Sequence, residues 1–586
     1  MESVNIKESG SLSTASFAAD NPAKPWLKHY DFFVPQTLTF PDRPLDFLLD
    51  MATMQYPDNA ATIFYGQNLT YREITKQVNA VAATLQTMGV VKGDRVALML
   101  PNCPQFVIAY FAILRVGAIV ANVNPLYTPR EIGQIINETG ASTLFTLDMG
   151  APGLDKARQA GQLPSLKQIV AVRLADYMSD VARDRYLAGQ AAQGIAAPEV
   201  PDTVVRWATL VELGNGKIPD RPEINAVDDV AVLQFTGGTT GTPKGAMLTH
   251  RNVLANTLQS YYWGSHFLRP GKEIFLTIIP LFHVYGMTSA LNQCVMIGGT
   301  LLLVPRFDPT ETLNLINIYK PSTFPGVPTM YIALLNHPAL KDTDLSCLRI
   351  MNSGSAPLPR DVQIRFRAYC SGIVAEGYGL SEAAPVTHVN PLFGKQKVGS
   401  VGLPIPNTDA KIVDVQDGHE LAQGEIGELI ICGPQVMKGY YNRPEETANA
   451  LRRRDDGQIW LHTGDIARMD ADGYFEIVDR KKDMILVGGF NVYPREVEEV
   501  LFTHPAVQEA AVIGVPDEYS GEAVKALVVL KPGNELLSSA DVVVFCRERL
   551  AGYKTPSVVV FTTQLPKSAV GKVLRTELRK QHAEGK

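Results

Sequence analysis

The chain has 586 residues, more than one hydrophobic core can organise, so at least two domains are expected. Apolar residues make up 46% and charged residues 19%, a composition that excludes the disordered and fibrous classes. The net charge of -6 excludes a general attraction to nucleic acid, so any polyanionic ligand must be held by a local arrangement.

The first residues and the cysteines indicate a cytoplasmic setting. Residues 1–30 form a polar leader without the apolar core of a secretory signal. The six cysteines are irregularly spaced, which argues against a zinc site or a disulfide framework. The longest apolar stretch, 106–121, is interrupted by Arg115 and Gly117 and is shorter than the roughly 20 residues of a spanning helix.

Helical and strand patterns alternate along most of the chain. Helical periods and apolar runs occur over 71–88, 95–100, 105–114 and 118–123, and they return after Asp229 with a helix over about 251–262. This alternation predicts two similar α/β halves, each with a largely parallel sheet covered by helices.

Two other regions have different patterns. Residues 150–220 are polar and alanine-rich, and we expect a peripheral excursion there, without an assigned function. From Val398 onward, short strands separated by turns predict a small β-rich subdomain. The segment after Asp479 leads through a Gly-Gly pair into a helix that opens at Pro494. The predicted division is a leader over 1–30, an N-terminal domain over 31–479 and a mobile α+β C-terminal domain over 480–586.

The segment TGGTTGTPKG at 236–245 is suited to phosphate. Glycines let backbone N–H groups approach a polyphosphate closely, threonine hydroxyls add donors, and Lys244 adds positive charge. It is not a Walker loop, because two residues separate Gly241 from Lys244 and Gly245 stands where a magnesium-binding hydroxyl would be. A plain connecting turn is the alternative interpretation.

Six further segments follow this loop in a fixed order. They are PLFHVYG (280–286), NSGSAPLP (352–359), EGYGLSEAAP (376–385), WLHTGD (460–465), DRKKD (479–483) and LPKSAVGK (565–572). Together with the loop they resemble the signature motifs of the adenylate-forming superfamily, which includes acyl-CoA synthetases, luciferases and peptide-synthetase adenylation domains. Residues 460–501, and also FTGGTTG and NVNPLYTPRE at 122–131, are similar to long-chain fatty acyl-CoA ligases.

The resemblance implies which residues bind ATP. For the phosphates they are Thr236, Gly237, Gly238, Thr239, Thr240, Gly241 and Lys244; for the adenine pocket and the nearby phosphates Gly354, Ser355, Ala356, Glu376, Gly377, Tyr378, Gly379 and Ser381; and for the ribose hydroxyls Asp465 and Arg480. Glu382 is the implied Mg²⁺ ligand, since magnesium prefers hard oxygen ligands and often takes only one or two from protein.

The resemblance also implies how the C-terminal domain acts. Lys572 would enter the active site during adenylation, and His283 would lie between the acyl pocket and the thiol channel. The domain would then rotate about Lys482 and bring Gly488 and Gly489 to the channel for the coenzyme A thiol.

The function implied by the resemblance is ATP-dependent ligation of a fatty acid to coenzyme A through an acyl-adenylate. Peripheral association with the inner face of the membrane stays open, because a fatty acid partitions there, and a homodimer is expected only at the level of the family. Three alternatives remain: a ligase for medium-chain or aryl acids, an enzyme that passes the adenylate to a carrier protein, and an inactive acyl- or nucleotide-binding protein.

Overall fold

The computed structural model describes residues 24–236, 243–370, 372–488, 490–517, 519–534, 536–569 and 571–584. Packed structure begins inside the segment that the sequence assigned to a leader. A 3-10 turn spans Pro25–His29, and its Trp26 is buried with its ring 6.1 Å from that of Phe475.

Two sheets and their covering helices make up most of the described residues up to residue 404. Their strands are β1 Ala60–Phe64, β2 Gln67–Thr70, β3 Arg95–Met99, β4 Ile119–Asn122, β5 Thr143–Leu147, β6 Gln168–Val172, β7 Val205–Arg206, β8 Val230–Thr236, β9 Lys244–Thr249, β10 Ile274–Thr277, β11 Thr300–Leu303, β12 Thr323–Gly326, β13 Ile350–Ser353, β14 Ile373–Gly379, β15 Val386–Val389 and β16 Leu403–Pro404. Their helices are α1 Phe47–Gln55, α2 Tyr71–Thr87, α3 Pro104–Arg115, α4 Pro129–Thr139, α5 Ala151–Gln159, α6 Asp180–Ala192, α7 Trp207–Gly214, α8 His250–Gly264, α9 Val284–Gly286, α10 Gln293–Met296, α11 Pro309–Tyr319, α12 Pro328–Leu335 and α13 Arg360–Arg367.

The predicted pair of α/β halves is confirmed. Among the described residues one sheet has nine strands in the order β16-β15-β14-β13-β12-β10-β11-β1-β2, and its centre is parallel. The other has eight strands in the order β19-β9-β8-β4-β3-β5-β6-β7, where β19 is Gly439–Tyr440, contributed from further along the chain. Helix α3 is buried on every face, which explains its unbroken apolar run.

Local signals fix several helix starts. Thr70 and Glu73 form a capping box at α2, and Thr249 and Asn252 form one at α8. The expectation of a peripheral excursion over 150–220 is wrong, because β6 pairs in parallel with β5 and β7 pairs in parallel with β6, which makes both strands part of the eight-stranded sheet. The edge strand β7 has only two residues and is partly exposed, so the composition of this segment did not reveal it.

The predicted β-rich subdomain and α+β C-terminal domain follow. The next elements are β17 Asp409–Val413, β18 Gly427–Cys432, β19 as above, α14 Pro444–Ala450, β20 Leu451–Arg453, β21 Ile459–Met469 and β22 Phe475–Arg480. The last are β23 Ile485–Val487, β24 Phe490–Val492, α15 Pro494–Phe502, β25 Val507–Asp517, β26 Gly521–Leu530, α16 Ser539–Arg547, β27 Val558–Phe561 and α17 Arg575–Ala583. Strands β17, β18, β20, β21 and β22 form one five-stranded sheet, and strands β23 to β27 form another. A separate apolar cluster lies under the second sheet.

Within the described ranges, no helix combines the length and apolar character that crossing a bilayer requires.

Candidate functional site

The predicted site segments converge at one edge of the nine-stranded sheet. The parallel strands β12, β13 and β14 end at this edge, where α/β proteins commonly bind ligands. The start of β9, the β21–β22 pair and the C-terminal loop before α17 come to the same place through the contacts described below.

Lys244 opens β9, directly after the glycine-rich loop, and its ammonium lies 5.4 Å from the centre of the Tyr440 ring. Such a cation over an aromatic face is held there electrostatically. Thr236 ends β8. The predicted phosphate-binding residues Gly237, Gly238, Thr239, Thr240 and Gly241 lie outside the described residues.

Tyr440 also contacts the predicted magnesium ligand. Its hydroxyl donates to Glu382 Oε1 at 2.7 Å, and the Glu382 carbonyl accepts from Met437 N–H at 2.8 Å. Glu382 lies in the 3-10 turn Ser381–Ala383, so the Ser381 hydroxyl is its neighbour in the chain. One carboxylate oriented in this way fits Mg²⁺, which completes its shell with phosphate oxygens and water.

A cleft of about 250 Å³ opens beside Lys244. Its walls carry more cations than anions: Lys244, Arg452 and Lys481 against Glu428 and Glu446. The positive excess suits a polyphosphate at the end of the cleft where Lys244 lies. Arg452 is an exposed residue of this wall.

The predicted adenine segments lie side by side. Gly354, Ser355 and Ala356 follow β13, and Glu376 to Gly379 form the end of β14, its parallel neighbour. Ser355 adopts a positive φ of 68°, a strained conformation that is found at ligand sites. The Glu376 carboxylate accepts the Leu358 N–H at 3.2 Å, and burial raises its pKa to about 7.

The predicted ribose pair is in contact. Asp465 on β21 and Arg480 on β22 are register partners, and Arg480 Nε is 3.2 Å from Asp465 Oδ1. The other carboxylate oxygen accepts the Tyr378 hydroxyl at 2.5 Å. Asp465 is almost fully buried, and these two donors compensate its charge. A ribose hydroxyl would compete for the same oxygens.

His283 is the N-cap of α9, and its Nδ1 accepts the Tyr285 N–H at 3.2 Å. The neutral ring therefore carries its proton on Nε2. Burial first, and then the charge of Lys572, lower the pKa of His283 to about 4, so it is neutral at pH 7. The Tyr285 hydroxyl donates to the Asn352 carbonyl at 2.7 Å, and a Cβ at Gly354 would be 3.3 Å from its ring, which fixes this segment against β13.

Lys572 reaches the N-terminal domain from the C-terminal loop. A Cβ at the preceding Gly571 would lie 2.8 Å from Thr329 Oγ1 on α12. Burial, followed by the charge of Arg480, lowers the pKa of Lys572 to about 7, against the opposing effect of Asp465. The lysine is thus enclosed among the ribose pair and within electrostatic reach of His283.

The other predicted C-terminal residues, Lys482, Gly488 and Gly489, follow β22 along the chain. Lys482 sits on the exposed turn after β22, two residues beyond Arg480. Gly488 is at the exposed end of β23, where its N–H donates to the Ser520 carbonyl at 2.8 Å. Gly489 is outside the described residues. In this structure Gly488 therefore contacts its own domain, while Lys572 contacts the N-terminal one.

Two residues of the site had no signal in the sequence. Tyr440 bridges Lys244 and Glu382, but it lies 58 residues from Glu382 in the chain. Arg495 follows the first residue of α15 and donates through its side chain to the Ile477 carbonyl of β22, across the predicted domain boundary. Both contacts depend on tertiary placement.

The chain combines a large α/β body with a small domain that places Lys572 at the strand ends of that body. This is the architecture of a two-domain, nucleotide-dependent enzyme. The family model described as AMP-binding enzyme matches residues 49–441, and the model described as AMP-binding enzyme C-terminal domain matches residues 496–572. The chain belongs to the AMP-binding enzyme family.

Similar proteins are known at the level of sequence and of structure. A long-chain-fatty-acid–CoA ligase of Bacillus subtilis (strain 168) is 46% identical, over 96% of this chain and 98% of its own length. One of Salmonella typhimurium is 42% identical, over 96% and 99%. The crystal structure of an anthranilate–CoA ligase in complex with anthranoyl-AMP superimposes with a TM-score of 0.81 at 27% identity, covering 94% of this chain and 98% of that one.

Proposed function

We propose that this chain is an ATP-dependent ligase that joins a long-chain fatty acid to coenzyme A through an acyl-adenylate, releasing AMP and pyrophosphate. The observation that supports it most is the enclosure of Lys572 beside Asp465 and Arg480, because a lysine there is positioned to neutralise an anion that reacts beside the ribose pair. The likeness to two fatty-acid ligases over nearly the whole chain supports the same activity.

The first step activates the acid. A carboxylate resists attack by a thiol because it is anionic and has a poor leaving group, so it first attacks the α-phosphate of ATP and displaces pyrophosphate. Lys572 would neutralise charge between carboxylate and phosphate, and Lys244 would hold the departing phosphates. Glu382 would bind Mg²⁺, which supplies further positive charge to the phosphates. Asp465 and Arg480 would fix the ribose.

The second step transfers the acyl group. Rotation about Lys482 would withdraw Lys572 and bring the Gly488–Gly489 turn to the site, where the coenzyme A thiol attacks the acyl carbonyl and AMP leaves. The neutral His283 would line the boundary between the acyl pocket and the thiol channel. The absence of charge on its ring suits a passage that must admit an apolar acyl chain.

AMP release decides between this function and its alternatives. Coenzyme A-dependent AMP formation from ATP would be measured with short-, medium- and long-chain fatty acids and with aryl acids, for the intact protein and for Lys572→Ala. We expect AMP release that increases with chain length and is lost in the variant, since each buried methylene contributes ~0.8 kcal/mol. Turnover with aryl acids alone would favour the aryl-acid ligase, and no AMP with any acid would favour a binding protein.

We further propose that the protein is cytoplasmic and associates peripherally with a membrane surface. Phe32 and Phe393 are 79% and 65% exposed, with ring centres 5.8 Å apart, and Phe32 and Phe33 also contact the His266 ring. Buried Asp31 holds the two phenylalanines together, because its carboxylate accepts the N–H groups of residues 392–394. Exposed aromatic rings of this kind insert at lipid headgroups.

Co-sedimentation with vesicles tests the membrane contact. We expect the intact chain to sediment with vesicles that contain anionic lipid, and the double variant Phe32→Ser/Phe393→Ser to stay in solution at unchanged AMP release. Equal sedimentation of both would refute the contact. We also propose a homodimer, on the family resemblance alone, and sedimentation equilibrium would test it.

A further inference from the structure

Helix α15 of the C-terminal domain is capped by a carboxylate from the other side of the hinge. Its N-cap residue Tyr493 makes no side-chain capping bond. Instead, the N–H of Arg495 in the first turn donates to Asp479 Oδ2 at 2.8 Å. Asp479 belongs to β22 and is 4% exposed. A carboxylate at a helix N-terminus satisfies a free N–H and complements the helix dipole, so this contact stabilises α15 where it lies.

The side chain of Arg495 extends the same connection. It is only 14% exposed, its Nε donates to Glu499 Oε1 at 3.0 Å within α15, and its Nη1 donates to the Ile477 carbonyl of β22. Its positive charge also counteracts the burial of Glu376 on β14, the strand of the predicted adenine pocket. One C-terminal arginine thus bridges two strands of the N-terminal body.

Arg495 and its partners in the N-terminal body lie on opposite sides of Lys482 in the chain. Asp479, Ile477 and Glu376 precede Lys482, whereas Arg495 follows it. A rotation at Lys482 would therefore break the three interactions that Arg495 makes with these residues, and it would keep the bond to Glu499 inside α15. The ion pair between Arg579 and Asp483, at 2.8 Å, lies wholly beyond Lys482 and would travel with the domain.

We infer that Arg495 and Asp479 form a latch that holds the C-terminal domain in the orientation in which Lys572 is enclosed beside Asp465. Arg495 is a positioning residue, since it acts through the placement of Lys572. The inference rests on the proposed two-step function for its kinetic consequence. Loss of Arg495 would penalise the adenylation half-reaction and spare the thioester half-reaction.

The two half-reactions are measured separately in Arg495→Leu, in Arg495→Lys, and in Arg579→Leu as a matched control. Adenylation is followed by fatty-acid-dependent exchange of pyrophosphate into ATP, and thioester formation by adding coenzyme A to pre-formed acyl-adenylate. We expect Arg495→Leu to lose about tenfold or more in exchange, the factor expected for one charge-assisted hydrogen bond, with thioester formation unchanged or faster. Arg495→Lys recovers part of the loss, and Arg579→Leu affects both half-reactions alike. An equal loss in both half-reactions for Arg495→Leu would overturn the latch.

A measurement without turnover separates failure of the latch from failure of the proposed function. Dyes are attached at Ile218→Cys and Lys580→Cys, with the partly accessible Cys347 and Cys432 replaced by serine, and energy transfer is recorded without ligands. We expect Arg495→Leu to change the transfer efficiency and Arg579→Leu to leave it unchanged. If no fatty acid supports pyrophosphate exchange by the intact chain, the proposed function fails, and the energy transfer still tests the latch. An unchanged transfer efficiency in Arg495→Leu would refute the latch.

Discussion

Binding of ATP is predicted to take up a proton at Lys572. The pKa of this lysine is about 7, chiefly because burial removes water from its ammonium, and Arg480 repels it further. The shift from 10.5 favours the neutral amine by about 5 kcal/mol. A triphosphate beside Lys572 supplies the missing negative charge and returns the pKa towards its ordinary value.

The size of the uptake follows from these pKa values. At pH 8, one unit above the pKa of about 7, roughly a tenth of the free lysines carry the proton, so saturation with ATP takes up about 0.9 proton per site. At pH 6 about nine tenths are already protonated, and the uptake falls to about 0.1. Because binding takes up a proton, the affinity for ATP decreases as the pH rises above 7, by almost tenfold per unit near pH 8.

Calorimetry in buffers of different ionisation enthalpy measures this uptake directly. ATP is added with excess magnesium and without a fatty acid, so that no turnover occurs. We expect the uptake to rise from pH 6 to pH 8 in the intact chain and to disappear in Lys572→Met, while Lys580→Met, an exposed position on α17, behaves like the intact chain. An uptake that falls with pH, or that persists in Lys572→Met, would refute the assignment of the proton to this lysine.

Three further outcomes are expected. Tyr440→Phe removes the 2.7 Å hydrogen bond to Glu382 and retains the ring, so the Mg²⁺ concentration that half-saturates adenylation should rise about tenfold or more in a metal titration. Gly571→Ala combines a φ of +72° with a Cβ 2.8 Å from a threonine hydroxyl and should slow pyrophosphate exchange. Gly533→Ala, which has a φ of +84° but places its Cβ in open space, should not. Burial raises the pKa of Glu376 from 4.5 to about 7, so the free energy of unfolding decreases by up to about 3 kcal/mol as the pH rises through this window. Glu376→Gln cannot ionise and should avoid this loss. The variant should therefore show a smaller drop in unfolding midpoint between pH 5 and pH 8.

The sequence predicted the fold wherever the hydrophobic period was strong. The helix expected over 71–88 occurs at Tyr71–Thr87, and the strand expected over 95–100 occurs at Arg95–Met99. Both patterns are local, since burial of one face dictates the spacing of apolar residues. The polar segment over 150–220 lacked such a period, because the edge strand β7 is only two residues long and α6 has no buried residue.

The candidate site could be predicted only as far as its motifs extend. Asp465 and Arg480 were assigned to one ligand from separate motifs, and β-sheet register brings them to 3.2 Å. The roles of Tyr440 and Arg495 could not be predicted, because each contacts residues of distant segments and no spacing in the chain encodes that proximity. For Arg495 the contact depends also on the orientation of a whole domain.

The positive charges around Lys572 connect the two proposed half-reactions, because their repulsion depends on which anion is bound. In the present orientation Lys572 shares its surroundings with Arg480, Lys482 and Arg575, and these cations oppose its charge. A bound triphosphate compensates this repulsion, and the Arg495–Asp479 latch adds contacts that do not depend on ligand. After adenylation, departure of pyrophosphate removes most of the compensating negative charge while the cations stay. Asp465 and the latch then remain to oppose the repulsion, so we infer that release of pyrophosphate favours rotation about Lys482 and that the second half-reaction follows it.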